Sequence, residues 1–171
     1  MWLIGLSGAG KSTLADELAR KLEAREFKVS LQDGDIIRAS DSRPLGFSAQ
    51  GIIKNGRRMI EKCETVLEAH DFVLVSLITP FEAVREEARQ RFRPQYLEIF
   101  LSTSVEECRR RDTKGLYAKE SRGELDNLIG VSPGSPFESP SEPDLVLDTK
   151  GKTVEQCVSL VFSALREQSL L

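Results

Sequence analysis

Residues 5–13 read "GLSGAGKST", preceded by "MWLI" and followed by "LADELARKL". The apolar run before Gly5 stops at a glycine, the pattern of a buried strand running into a loop. Beyond the loop, Leu14, Leu18 and Leu22 recur at i, i+4 and i+8 among charged residues, which is one face of an amphipathic helix. Gly5-x-x-x-x-Gly10-Lys11-Ser12 therefore lies between a strand and a helix, the context that a phosphate-binding loop requires. The residues from Gly5 through Leu6, Ser7, Gly8, Ala9 and Gly10 to Lys11, Ser12 and Thr13 are expected to cradle phosphates with backbone N–H groups and the helix dipole. Lys11 is expected to reach the β- and γ-phosphates and the Ser12 hydroxyl to ligate Mg²⁺. With no Asn-Lys-x-Asp guanine-reading pattern anywhere in the chain, the expected cofactors are ATP and Mg²⁺.

Outward from this loop, strand and helix patterns alternate. "KVSLQDGD" (28–35) reads as a strand ending in acids, residues 55–71 as a helix, "FVLVSLITP" (72–80) as a strand apolar on both faces and residues 80–92 as a helix with Pro80 near its start. "YLEIFLST" (96–103) is a further strand, and "SVEECRRRD" (104–112) a helix with a cap signal in Ser104 and Glu107. "DLVLDT" (144–149) and residues 153–168 supply the last strand and helix. This alternation predicts an α/β fold, a three-layer P-loop NTPase-type parallel sheet with helices on both faces, as a single domain over 1–171. Residues 113–143 break the pattern, being rich in Gly, Ser, Pro and Lys; a loop of this length in a compact domain predicts a lid or binding loop.

The third strand carries no acid at its end, so the carboxylates nearest the phosphates by topology are Asp33 and Asp35, at the carboxyl end of the second strand, where open α/β sheets bind ligands. Either is placed to orient an acceptor hydroxyl or to help hold the metal, with Asp33 the expected metal ligand beside Ser12.

Composition narrows the alternatives. A net charge of −3 with interspersed signs, two tyrosines and one tryptophan gives no basic, aromatic surface for nucleic acid. No apolar run approaches the roughly 20 residues of a membrane span, and the first motif comes too early for a signal peptide, so a cytoplasmic protein is expected. Cys63, Cys108 and Cys157 form no C-x-x-C pair and read as reduced, buried thiols; His70 has no partner at metal-ligand spacing.

Laid out in order, "GLSGAGKST", "DGDIIR", "PLGFSA", "NGRR", "ITPF", "RDTKGLY" and "PDLVLDT" resemble the adenylylsulfate kinase family from Trp2 to about Thr149. The resemblance implies transfer of the ATP γ-phosphate to the 3′-hydroxyl of adenylylsulfate, giving 3′-phosphoadenylylsulfate in sulfate assimilation. It implies Asp35 as the carboxylate near the acceptor hydroxyl, with Lys11 the other catalytic group. Arg38, Phe47, Asn55, Ile78, Thr79 and Gly130 fall at acceptor-binding positions, Phe47 stacking on the adenine. Arg111, Lys114 and Lys119 belong to a segment that closes over the phosphates. A homodimer is the assembly usual in the family, whose members commonly carry a segment ahead of the first strand that has no counterpart before "MWLI".

The departures from the family pattern fall on the acceptor side. Ile36 stands for asparagine in D-G-D-N, Gly51 and Ile52 for aspartate and arginine, and Leu128 for the second aromatic of the adenine clamp. Lys54 or Arg57 is the expected substitute for the missing charge. Two other readings stay open on these residues: a small-molecule kinase of the same architecture with a different acceptor, and a degenerate nucleotide-binding module that regulates a partner enzyme.

Overall fold

Strand residues alternate between two apolar layers, and this alternation places the sheet between two helical faces. The computed structural model describes residues 1–34 and 46–171. Its elements are β1 (Trp2–Ile4), α1 (Lys11–Glu23), β2 (Val29–Asp33), α2 (Ala49–Leu67), β3 (Phe72–Ser76), α3 (Glu82–Phe92), β4 (Glu98–Leu101), α4 (Val105–Arg111), α5 (Leu116–Ser121), β5 (Leu145–Leu147) and α6 (Val154–Glu167). The strands form one parallel sheet, as the alternation predicts, in the order β2-β3-β1-β4-β5.

On one face Leu3, Leu74, Ile99 and Leu101 pack with Leu14, Leu18 and Leu22 of α1 and Val158, Val161 and Phe162 of α6. On the other, Trp2, Ile4, Val73 and Val75 pack with Met59, Ile60 and Cys63 of α2 and Val84 and Ala88 of α3. Burying each such side chain contributes roughly 1.5–3 kcal/mol against chain entropy. All three cysteines are buried and unpaired, as expected. Among the described residues no helix is long and apolar enough to cross a membrane.

Three elements differ from the sequence reading. The helix expected from residue 55 begins at Ala49, because the Ser48 side chain accepts a hydrogen bond from the Gly51 N–H and caps it there. The start of α3 takes its cap from outside: the Glu82 N–H donates to the Glu138 carboxylate at 2.6 Å. The segment 113–143 is not an unbroken loop. Asp112 accepts from the N–H groups of Tyr117 and Ala118 and opens α5, and Tyr117, Leu128 and Ile129 are buried.

Candidate active site

The loop after β1 holds Gly5, Gly8 and Gly10 at φ of 142°, 78° and 102°, conformations that side chains resist. At Gly5 a Cβ would also lie 2.6 Å from the Leu101 carbonyl oxygen. Lys11 is only 9 % exposed, and its Nζ donates to the carbonyls of Gly5 at 3.0 Å and Leu6 at 2.8 Å, which folds the ammonium back over the loop. Further loop carbonyls are held from outside. The Tyr117 hydroxyl donates to Ser7 at 2.8 Å, Thr149 Oγ1 to Ala9 at 3.0 Å, and Arg111 Nη1 to Gly8 at 3.4 Å. The N–H of Ala9 is already engaged by the Leu6 carbonyl at 3.2 Å.

Arg111 itself is fixed by Thr149 Oγ1 at 2.8 Å from Nη1 and by Glu107 Oε1 at 2.8 Å from Nε. The guanidinium groups of Arg110 and Arg111 hydrogen-bond Glu107 and lower its carboxyl from the ordinary 4.5 to about 2. The Glu107 carboxylate serves these arginines, while its N–H donates to the Ser104 hydroxyl at 3.3 Å and caps the helix.

Ser12 Oγ donates to Asp33 Oδ2 at 2.7 Å and lies 3.2 Å from Ser76 Oγ. The strand register explains the meeting, since Asp33 and Ser76 are paired across the ends of β2 and β3. This is a set of hard oxygen ligands of the kind Mg²⁺ uses, completing its octahedron with phosphate and water. Among the described residues no cluster of three His, Cys, Asp or Glu side chains forms a metal cage.

A cavity of about 430 Å³ opens beside these groups. Its wall includes Ser7, Gly8, Gly10, Lys11, Ser12, Thr13, Asp33 and Arg111 together with Phe47, Ile52, Asn55, Ile78, Thr79, Lys114 and Leu128. Ile52 and Asn55 arrive together because they are one turn apart on α2. Phe47 is 48 % exposed at the rim. Leu128 reaches the cavity from within the apolar core, at 4 % exposure. Asp35 and Arg38 lie outside the described residues.

Gly130 lines a neighbouring cleft, where a Cβ would meet Leu6 Cδ2 at 2.4 Å. Leu6 faces the same cleft. Arg57 pairs with Glu87 at 2.8 Å on the neighbouring helix, and Lys54 is exposed. Thr79 turns its hydroxyl to the Trp2 indole N–H, which donates at 2.9 Å.

Sequence reasoning missed Tyr117, Thr149, Ser76 and Arg85. Thr149 and Ser76 had a readable signal in their positions at or just beyond the carboxyl ends of strands. Arg85 had none, sitting in a charged run yet fully buried.

The adenylylsulphate kinase family model matches residues 1–148. An adenylyl-sulfate kinase of Prochlorococcus marinus is 41% identical over 172 residues, covering 100% of this chain and 85% of that protein. One from Bacteroides thetaiotaomicron is 41% identical over 160 residues, covering 93% and 79%. Among solved structures, the Mycobacterium tuberculosis APS kinase in complex with AMPPNP and APS superposes with a TM-score of 0.89 at 33% identity, covering 96% of this chain and 95% of that one. A family model that matches residues 1–148 and a relative 41% identical along the whole chain place this phosphate-loop protein in the adenylylsulfate kinase family, to which the chain belongs.

Proposed function

We propose that this chain transfers the γ-phosphate of ATP to the 3′-hydroxyl of adenylylsulfate, giving 3′-phosphoadenylylsulfate. The carrying observation is that one cavity is lined both by the phosphate loop and by Phe47, Ile52, Asn55 and Ile78, so that a donor and an acceptor can share it. Lys11 stabilises charge that develops on the transferring group, and the loop N–H groups not engaged internally hold the β-phosphate. Ser12 and Asp33 hold Mg²⁺ in this reading; when bound, the ion neutralises phosphate charge. Arg111, locked by Glu107 and Thr149, borders the nucleotide end. Asp35 accepts the proton of the acceptor hydroxyl and Arg38 binds the acceptor nucleotide. Thr113, Lys114, Leu116 and Leu125 bring the 113–143 segment onto the cavity, where closure excludes water that would compete for the phosphoryl group. A homodimer in the cytoplasm is part of the same proposal.

The test is incubation with ATP, Mg²⁺ and adenylylsulfate followed by separation of nucleotides. Appearance of 3′-phosphoadenylylsulfate in step with ADP supports the proposal. A second reading, a different acceptor, draws on Ile52, which gives the acceptor end an apolar wall where the family's arginine is usual. It predicts no such product, with ADP released only when another hydroxyl compound is supplied.

A further inference from the structure

Arg85 is fully buried in α3, and its guanidinium is spent on two backbone segments far apart in sequence. Nη1 donates to the Thr79 carbonyl at 2.8 Å and Nη2 to the Glu138 carbonyl at 2.8 Å, while Nε and Nη2 both contact Glu82 Oε2. The same two segments meet again where the Glu138 N–H donates to the Pro80 carbonyl at 2.9 Å and the Glu82 N–H to the Glu138 carboxylate. Ile78, Thr79 and Pro80 line the acceptor side of the cavity, and Leu125, Asn127 and Leu128, upstream of Glu138, line it too. Thr79 is held at φ 45°, a left-handed conformation that a β-branched residue adopts only when its surroundings impose it. Here they do: its carbonyl is taken by Arg85 and its hydroxyl by Trp2. Arg85 also faces two carboxylates, that of Glu82 and that of the fully buried Glu98, whose Oε1 lies 4.0 Å from Nε, so removing the guanidinium alone would leave buried partners unpaired. What a guanidinium adds is a rigid fork that fixes two acceptors at a set separation.

We infer that Arg85 is a positioning residue for the acceptor nucleotide: it clamps the Ile78–Pro80 loop to the segment through Glu138 and so sets the width of the acceptor end of the cavity. This rests on the function proposed above. Arg85→Lys keeps the charge but loses the fork, and Glu138→Ala, at an exposed position, removes the carboxylate from the Glu82 N–H while leaving Arg85 in place. With each substrate varied in turn, KM for adenylylsulfate is expected to rise about 10- to 100-fold in Arg85→Lys and about 3- to 10-fold in Glu138→Ala, with KM for ATP within about twofold of wild type. Equal rises in both KM values, or a fall in kcat with both unchanged, would overturn the assignment. Amide exchange reads the clamp without any acceptor: Glu82 and Glu138 must lose protection in Arg85→Lys while the phosphate-loop amides keep theirs. Unchanged protection at Glu138 would defeat the inference. Failure of the wild type to phosphorylate adenylylsulfate would instead defeat the proposed acceptor.

Discussion

Ser12 Oγ donates to Asp33 Oδ2 at 2.7 Å, so the first turn of α1 and the end of β2 meet in one hydroxyl–carboxylate pair at the floor of the cavity. β3 ends in Ser76, whose hydroxyl lies 3.2 Å from that of Ser12, so the carboxylate comes from the adjacent strand. Asp33→Asn is expected to lower kcat by about 100-fold and raise the Mg²⁺ concentration needed for half-maximal rate, with ATP affinity in the absence of Mg²⁺ little changed. A Mg²⁺ titration of initial rates checks it. Asp35→Asn is expected to lower turnover with an unchanged Mg²⁺ requirement, which separates the two acids.

Glu107 ties its carboxylate to Arg110 and Arg111 and is held at about 2, below its ordinary 4.5. A depressed folded-state value means that the unfolded chain binds the proton first. The stabilisation is therefore complete above about pH 5 and is lost as pH falls from about 4.5 through 2. Melting temperatures of wild type and Glu107→Gln are expected to differ at pH 7 and converge as the pH is lowered through that window. Arg111 loses the ionic one of its two anchors in the variant and keeps Thr149, so KM for ATP is expected to rise as well.

Gly56 lies inside α2, where alanine would ordinarily gain about 1 kcal/mol in helix propensity. A Cβ there would come within 2.5 Å of Val84 Cγ1, a β-branched side chain buried in the α2–α3 contact. Overpacking outweighs propensity, and Gly56→Ala is expected to destabilise by about 1–3 kcal/mol in urea denaturation. A stabilised variant would mean that α3 can move aside freely.

Ile52 lines the cavity from α2, and Arg57 pairs with Glu87 on α3. Ile52→Arg is expected to tighten adenylylsulfate binding about 5- to 100-fold by calorimetry, through a charge-assisted contact to the anionic acceptor, with ATP binding unaffected. Leu128→Phe is expected to cost about 1–3 kcal/mol in stability, because Leu128 is packed in the core and the ring is larger. Weaker adenylylsulfate binding in Ile52→Arg would show that another group already holds the anion.

The sheet and its flanking helices were legible because buried strands such as "FVLVS" and the Leu14–Leu18–Leu22 stripe carry their periods openly. The phosphate loop was legible because its chemistry is carried by backbone geometry that only glycines at fixed offsets permit. What was not legible depends on contacts between distant residues. The six residues of α5 are set by the Asp112 carboxylate and not by propensity, and the first turns of α2, with Gly51, read as loop until Ser48 is seen to cap them. Arg85 lies in "EAVREEARQR", which reads as a solvated face; its burial depends on carbonyls supplied by Thr79 and Glu138.

The central claim is phosphoryl transfer from ATP to the 3′-oxygen of adenylylsulfate with Lys11 in the cradle. The most direct measurement follows γ-labelled ATP with wild type and Lys11→Ala, and locates the label in the product by phosphorus NMR. The account predicts label on the 3′-oxygen of adenylylsulfate with wild type, and a loss of about 100-fold or more in rate with Lys11→Ala at unchanged secondary structure. Label released as inorganic phosphate or found on another acceptor, or near-wild-type transfer by Lys11→Ala, would contradict it.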